Sequence, residues 1–237
     1  MANFPFQRLQ ADLAALIGKM EAGGRLPSEP DLARQMGVSR ATLREAMRTF
    51  EVQGLIRRRQ GSGTFAVGQV PVIEAGLEVL ESLETMAVRR GLQVSVGDLR
   101  VESLAADAEN AEGLGVALGT SVTRVRRVMR EDSRPVAYLA DTLCATDLKP
   151  DQLGPDFKGS VLDYLLQRGD MLTVSKAAIT AVAAPADVAK ALQIQRGDVL
   201  LQFISKLYRS DGTVLDYSWS YFIPGYFNFH VVRRVGR

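Results

Sequence analysis

Gly37-Val38-Ser39-Arg40-Ala41-Thr42-Leu43-Arg44-Glu45-Ala46-Met47-Arg48-Thr49-Phe50 is the stretch on which the fold reading turns. Ser39 is an N-cap residue ahead of a helix. Leu43, Ala46, Met47 and Phe50 share one face of that helix, and Arg40, Arg44 and Arg48, at i, i+4 and i+8, share another. Gly54 stops the helix. Upstream, Leu26-Pro27-Ser28-Glu29-Pro30-Asp31 supplies a second cap: Ser28 with an acid three residues later, and a proline tolerable in a first turn. That helix runs through Leu32, Ala33 and Met36 and closes at Gly37 in a left-handed conformation. Further upstream, Phe6, Leu9, Leu13, Leu16, Ile17 and Met20 predict a helix over residues 6–21, ended by Gly23-Gly24. Downstream, strands over residues 55–58 and 64–67 flank Gln60-Gly61-Ser62-Gly63. Helix, helix, tight turn, helix and hairpin is the order of a winged helix-turn-helix.

The charge follows the same division. The chain has 29 Lys+Arg and 27 Asp+Glu, a net charge of +2. Residues 1–68 hold ten basic and six acidic residues, a net +4, and the remainder holds 19 and 21, a net −2. An excess of arginine between residues 40 and 59 is the footprint of a polyanion-binding head on a near-neutral body. An arginine stripe opposite a core stripe suits a helix that enters a major groove, because guanidinium forks match guanine edges and phosphates. Ser39 and Thr42 add hydroxyl donors, and the helix N-terminus favours phosphate. Taken alone, such a stripe is as well explained as a solvated face. The ordered combination of helices, caps and wing is what favours DNA.

Other classes find little support. Cys144 and His230 are single residues, too few for a disulfide framework or a closed zinc site. His230 lies in the apolar run Phe229-His230-Val231 and reads as structural. No catalytic residue, metal site or cofactor is expected, and the chain is not read as an enzyme. The N-terminal residues lack a basic segment followed by an apolar run, and no stretch has the apolar length of a membrane span. A cytoplasmic protein with no membrane partner is expected.

Residues 69–75 read as a linker. Residues 73–90 carry Ile73, Leu77, Leu80, Leu83 and Met86 and predict a helix. Beyond residue 92 strands and helices mix, with a weak internal repeat: residues 108–140 and 186–221 each contain a helix followed by an antiparallel hairpin. A short helix is expected over residues 161–167. The expected class is α+β, with a winged helix-turn-helix in residues 1–68 and an antiparallel-sheet domain in residues 76–237.

Leu26-Pro27-Ser28-Glu29, Leu32-Ala33, Gly37 to Ala46, Gly54-Leu55-Ile56 and Gly61-Ser62-Gly63-Thr64-Phe65 together resemble the GntR family of bacterial regulators. The resemblance covers nearly all of residues 6–67. It implies operator contacts by Ser39, Arg40, Thr42 and Arg44, with Gln60 and Gly61 at the wing tip. The full candidate interface is Ser28, Ser39, Arg40, Thr42, Arg44, Arg48, Arg58, Gln60, Gly61 and Thr64. Pro30 departs from the polar or basic residue common in relatives and is left out.

The second region resembles the UTRA sensor domain of the HutC subfamily, which has a chorismate-lyase-like fold. The residues that carry this are Arg89-Arg90-Gly91-Leu92, Val125 to Met129 with Pro135-Val136-Ala137, Gly159-Ser160-Val161-Leu162 and Asp216 to Phe222. It implies a small-molecule effector, a homodimer and an inverted-repeat operator in double-stranded DNA.

Alternation along residues 122–130 puts Val122, Arg124, Arg126, Val128 and Arg130 on a face read as solvent-exposed, and Thr123, Val125, Arg127 and Met129 on the inner one. An inward Arg127 requires an anion, either a protein carboxylate or a ligand. UTRA domains often place an Arg-x-Arg pair here; Arg127-Val128-Met129 keeps one arginine. Leu139 replaces the acidic residue that usually follows Pro-Val-Ala. The expected effector is therefore less charged than a sugar phosphate, such as a carboxylate or other anionic metabolite, or an apolar one. Candidate effector contacts are Ser95, Arg127, Tyr138, Ser160, Asp216, Ser218 and Phe222. The competing readings are an enzyme of lyase-like fold fused to a DNA-binding head, and a ligand-independent architectural protein.

Overall fold

Ser28 and Ser39 start the two helices of the helix-turn-helix by accepting hydrogen bonds from the main-chain N–H groups of Asp31 and Thr42. The computed structural model describes residues 5–59, 61–67, 73–89, 93–154 and 157–231. The chain divides into two units, residues 1–72 and 73–237. In the first, α1 (Pro5–Gly18), α2 (Glu29–Met36) and α3 (Arg40–Val52) precede an antiparallel hairpin of β1 (Ile56–Arg59) and β2 (Gly63–Ala66). Gly37 sits at φ 67° in the three-residue turn between α2 and α3. Its N–H caps α2 by donating to the Ala33 and Arg34 carbonyls. Leu9, Leu13, Leu32, Leu43, Met47, Phe50 and Ile56 meet in one core, so each helix buries the stripe its sequence spacing defines. The segment before α2 joins the wing as well: Leu26 donates to the Thr64 carbonyl, Gly23 donates to the Ala66 carbonyl, and Ala66 donates to the Gly24 carbonyl.

The second unit is built on a six-stranded antiparallel sheet. Its strands are β4 (Val94–Ala105), β5 (Ser121–Glu131), β6 (Arg134–Cys144), β7 (Leu172–Ala183), β8 (Val199–Arg209) and β9 (Val214–Phe222), in the order β4-β5-β6-β9-β8-β7. The two halves mirror each other. β4, α5 (Ala108–Leu114), β5 and β6 form one; β7, α7 (Ala186–Leu192), β8 and β9 form the other. They join at β6 and β9, where Ala140 faces Trp219. Helix α5 packs on β9 of the opposite half and α7 on β6. Gly113 permits the first contact, because a Cβ there would lie 2.3 Å from the Tyr217 ring. The weak repeat in the sequence is thus a repeat in space, extended by one strand that precedes each helix.

Helices α5 and α7 cover one face of the sheet. On the other, α6 (Val161–Arg168) packs Val161 and Leu165 against Val125, Leu143, Leu207 and Leu215. Beside it lie α4 (Leu83–Arg89) and a parallel pair formed by β3 (Ile73–Gly76) and β10 (Phe227–His230).

Two expectations need correction. Residues 73–90 are not one helix. Ile73–Gly76 is a strand paired with Phe227–His230, and among the described residues of this stretch only Leu83–Arg89 is helical. The apolar spacing was compatible with both, and a partner some 150 residues away decided the first part. Of the expected linker 69–75, residues 69–72 lie outside the described residues and residues 73–75 belong to β3. Second, the face of β5 read as solvent-exposed is largely covered. Val122 and Val128 are buried, with Val122 under α5 beside Ala111 and Leu114. Arg124 and Arg126 at its margin pair with Asp107 and Glu102. Among the described residues no helix is long and apolar enough to cross a membrane.

Candidate functional site

In the first unit the candidates gather at the start of α3 and along the wing. Ser39 and Arg40 are exposed and Thr42 is half-buried. The Ser39 and Thr42 hydroxyl oxygens lie 2.8 Å apart, so one capping arrangement orders both. Arg44 follows one turn after Arg40, on the same exposed side, with its Nε donating to Glu29 at 2.6 Å. Arg48 pairs with Glu45 at 3.2 Å. Arg58 turns from the wing toward the helices, 3.5 Å from Glu51 and 3.9 Å from Glu29. Ser28 is exposed and bonded to Asp31. Exposed ion pairs of this kind stabilise a fold by about 0–1 kcal/mol, so an incoming phosphate can replace their carboxylates at little cost.

The wing tip turns at Gly61, with φ 74°. Gln60 lies outside the described residues. Thr64 does not belong with the exposed set: it is 8% exposed, held against the Leu26 segment. Alternation on β1 sends Arg57 and Arg59 away from Arg58, and both are exposed. The Arg59 guanidinium stands 5.3 Å from the centre of the Phe65 ring. The two-residue period of the strand could have singled out these two arginines in the sequence.

The second unit holds a cavity of about 580 Å³ between the sheet and the strip formed by residues 75–83 and Phe229. That volume suits a small metabolite. Arg127, Ser160, Asp216, Ser218 and Phe222 line it, as expected from their faces. Ser95 and Tyr138 do not. Ser95 is exposed on β4 opposite Arg130. Tyr138 points to the other side of the sheet, its ring 6.2 Å from that of Tyr221. Met129 is buried outside the cavity, whereas Leu139 lines it.

Arg127 is 7% exposed in its side chain and holds two carboxylates: Asp141 through Nη1, and Glu84 at 3.4 Å through Nε. Burial alone would favour loss of its charge; the two carboxylates more than offset this and hold it ionised. Of the two partners the sequence left open for Arg127, protein carboxylates are present. Asp141 lies two residues beyond Leu139 on the same face of β6, so the acid absent from position 139 is supplied one pleat further along. Alternation could have found it. Glu84 could not be found that way, because it depends on where α4 docks.

Asp216 is buried beside this group and accepts a hydrogen bond from the Thr142 N–H at 3.1 Å. Burial, together with the Asp141 charge, pushes its pKa well above the ordinary carboxylate range. The Thr142 N–H, Arg127 and Ser218 pull the other way. Burial raises Glu84 also, against the pull of Arg127. The opposite wall is apolar. The rings of Phe203, Phe222 and Phe229 meet with centroids 4.6–5.1 Å apart.

Comparisons with known proteins agree with this geometry. A family model described as bacterial regulatory proteins, gntR family, matches residues 6–66, and a UTRA domain model matches residues 89–228. The HTH-type transcriptional repressor NagR of Bacillus subtilis is 27% identical over 205 residues, spanning 86% of this chain and 83% of that protein. The histidine utilization repressor of Klebsiella aerogenes is 31% identical over 177 residues, spanning 75% and 72%. The crystal structure of PhnF from Mycobacterium smegmatis superposes with a TM-score of 0.65 at 24% identity, covering 96% of this chain and all of that one. With a winged head in its first unit and an antiparallel α+β sheet around a cavity in its second, this chain belongs to the GntR family of bacterial regulatory proteins, in the HutC-type subfamily that joins the head to a UTRA domain.

Proposed function

We propose that this protein is a transcriptional repressor that binds an inverted-repeat operator as a homodimer and is controlled by a small molecule in the cavity of its second unit. Residues 1–68 serve as the DNA-reading head and residues 76–237 as the effector-binding and dimerisation domain. The single observation that carries the reading is the exposed N-terminal end of α3, where Ser39, Arg40, Thr42 and Arg44 lie together on the side opposite the core. Arg40 and Arg44 read base edges. Ser39 and Thr42 position the helix on phosphate, and Arg57 and Arg59 of the wing follow the neighbouring backbone. One head covers only a half-site, which is why two copies and a palindrome are required. The relatives' naming as repressors supports the sign of regulation. Regulation rather than catalysis is its task, and it acts in the cytoplasm, where the chromosome lies.

Selection of bound sequences from a random duplex library with the full-length protein tests this. The expected product is an inverted repeat whose affinity falls steeply with salt, as phosphate contacts require. If the recovered sequences share no repeat, or if Arg44→Ala leaves affinity unchanged at fixed salt, the recognition-helix assignment is wrong.

A further inference from the structure

We infer that Arg25, in the segment that leads into α2, joins Arg57 and Arg59 in a phosphate-binding face on the outside of the wing, and that this face holds the sugar-phosphate backbone of the operator. This rests on the reading of the first unit as the DNA-binding head and adds a contact residue to it. Strand register brings the three arginines together. Arg25 forms a bridge with Phe65 on the free side of β2, and Arg57 pairs with Phe65 on the other side. Opposed residues of neighbouring strands share a face, so Arg25, Phe65 and Arg57 make one row across the wing. Arg59 and Gly63 pair in the next row of the same face. Leu26, Ile56, Thr64 and Ala66 are buried on the reverse side, toward the helices. Arg25, Arg57 and Arg59 are all exposed.

The Arg25 side chain is seated on the wing. A Cβ at position 63 would lie 2.9 Å from its Nε and 3.3 Å from its Nη2, so the guanidinium crosses β2 in the space that Gly63 leaves. The Arg59 guanidinium approaches from the other strand, 5.3 Å from the centre of the Phe65 ring. Like charges gathered on one face of a small sheet repel one another. Elsewhere in the head the fold answers such charge with acids: Arg34, Arg44, Arg48 and Arg58 each have a carboxylate at 2.6–3.5 Å. Arg25, Arg57 and Arg59 have none among the described residues. Three unmatched guanidiniums around one ring suit an anion from outside the chain. A phosphodiester offers charged oxygens that match the guanidinium fork, and a run of them meets several arginines at once.

Fluorescence anisotropy of the full-length protein tests the inference, on the selected operator and on a scrambled duplex of equal length, each over a range of salt. Arg25→Gln keeps the side-chain stem across Gly63 and removes the charge. It is expected to weaken binding to both duplexes about 3- to 10-fold at about 0.15 M salt, and to lower the slope of log affinity against log salt by about one. Arg25→Lys keeps the charge and should keep the slope. Arg34→Ala removes an arginine of the same unit from outside this face and should change neither quantity. The inference is overturned if Arg25→Gln binds both duplexes as the parent does, the outcome expected if the face meets an acidic protein segment instead. It is overturned also if Arg34→Ala causes the same loss, because net charge alone would then account for it. The two readings fail separately. If no inverted repeat is selected but the scrambled duplex still shows the Arg25-dependent slope, the recognition-helix assignment falls and the wing face stands. If the repeat is selected and Arg25→Gln binds it like the parent, the reverse holds.

Discussion

Arg44 on α3 has 56% of its side chain exposed and one carboxylate partner, Glu29. Arg127 on β5 has 7% exposed and two, Asp141 and Glu84. Both are ion-paired arginines on regular elements, and both were singled out in the sequence as contacts for something outside the chain. The surroundings separate them. In water the Arg44–Glu29 pair is weak and exchangeable, so the guanidinium stays available to DNA. Inside the sheet face the Arg127 pair is held by the cost of uncovering any one of its charges. Under the proposed function the exposed arginine can exchange its surface acid for DNA, whereas the buried arginine stays locked to two acids in the wall of the cavity.

The sharpest way to break this comparison is to remove each guanidinium. Arg127→Ala leaves Asp141 and Glu84 buried without a counter-charge and is expected to lower the stability of the second unit by about 3–5 kcal/mol. Trp219, the single tryptophan, lies on β9 and reports on that unit alone in denaturant unfolding. An Arg127→Ala protein as stable as the parent would show that the pair is exchangeable after all. Arg44→Ala should leave folding unchanged and weaken operator binding by about 1–3 kcal/mol, read by fluorescence anisotropy at constant salt. Ser39→Ala removes a helix cap, so it should cost the head about 1 kcal/mol in thermal unfolding followed by circular dichroism, and reduce affinity too.

Asp216→Asn probes the cavity side by pH. The folded state raises the Asp216 pKa above its unfolded value, so the native protein binds this proton more tightly. Stability is therefore lost as pH rises from the ordinary aspartate range, about 4, through the raised value. The asparagine can still accept from the Thr142 N–H, and its Tm should vary less between about pH 4 and pH 8 than that of the parent. Identical pH profiles would place Asp216 in an ordinary environment. The smallest effect is expected at Arg34→Ala, whose exposed pair with Asp31 contributes under about 0.5 kcal/mol to thermal stability.

The head was almost wholly legible. Its caps, its core stripe and its arginine stripe are all local, set by residues three or four apart. What the sequence reading did not use there is strand alternation along the wing. It turns Arg58 inward, Arg57 and Arg59 outward, and leaves Thr64 covered. In the second unit alternation placed Arg127, Asp216, Ser218 and Phe222 correctly on the cavity side. Tyr138 was chosen without using alternation, which, from its place next to Leu139, turns it to the other face. Ser95 was chosen without a face, and the structure leaves it outside. The helix expected over residues 73–90 failed because apolar spacing in a short segment does not separate helix from strand, and pairing with residues 227–230 settles it.

By itself the sequence determined what local spacing can determine: the winged head, its reading helix, the concentration of positive charge there, and a strand-rich second half with an internal repeat. These follow from hydrogen-bond caps and from periods of two and about four residues. Only the tertiary structure decided how the two repeats join at β6 and β9, that β3 closes on β10, and that Glu84, Asp141 and Arg127 converge. The physical reason is range. A buried charge is defined by whatever is packed against it, and for Arg127 that includes a helix some 40 residues earlier in the chain and a neighbouring strand, neither of which its own strand's pattern can reveal.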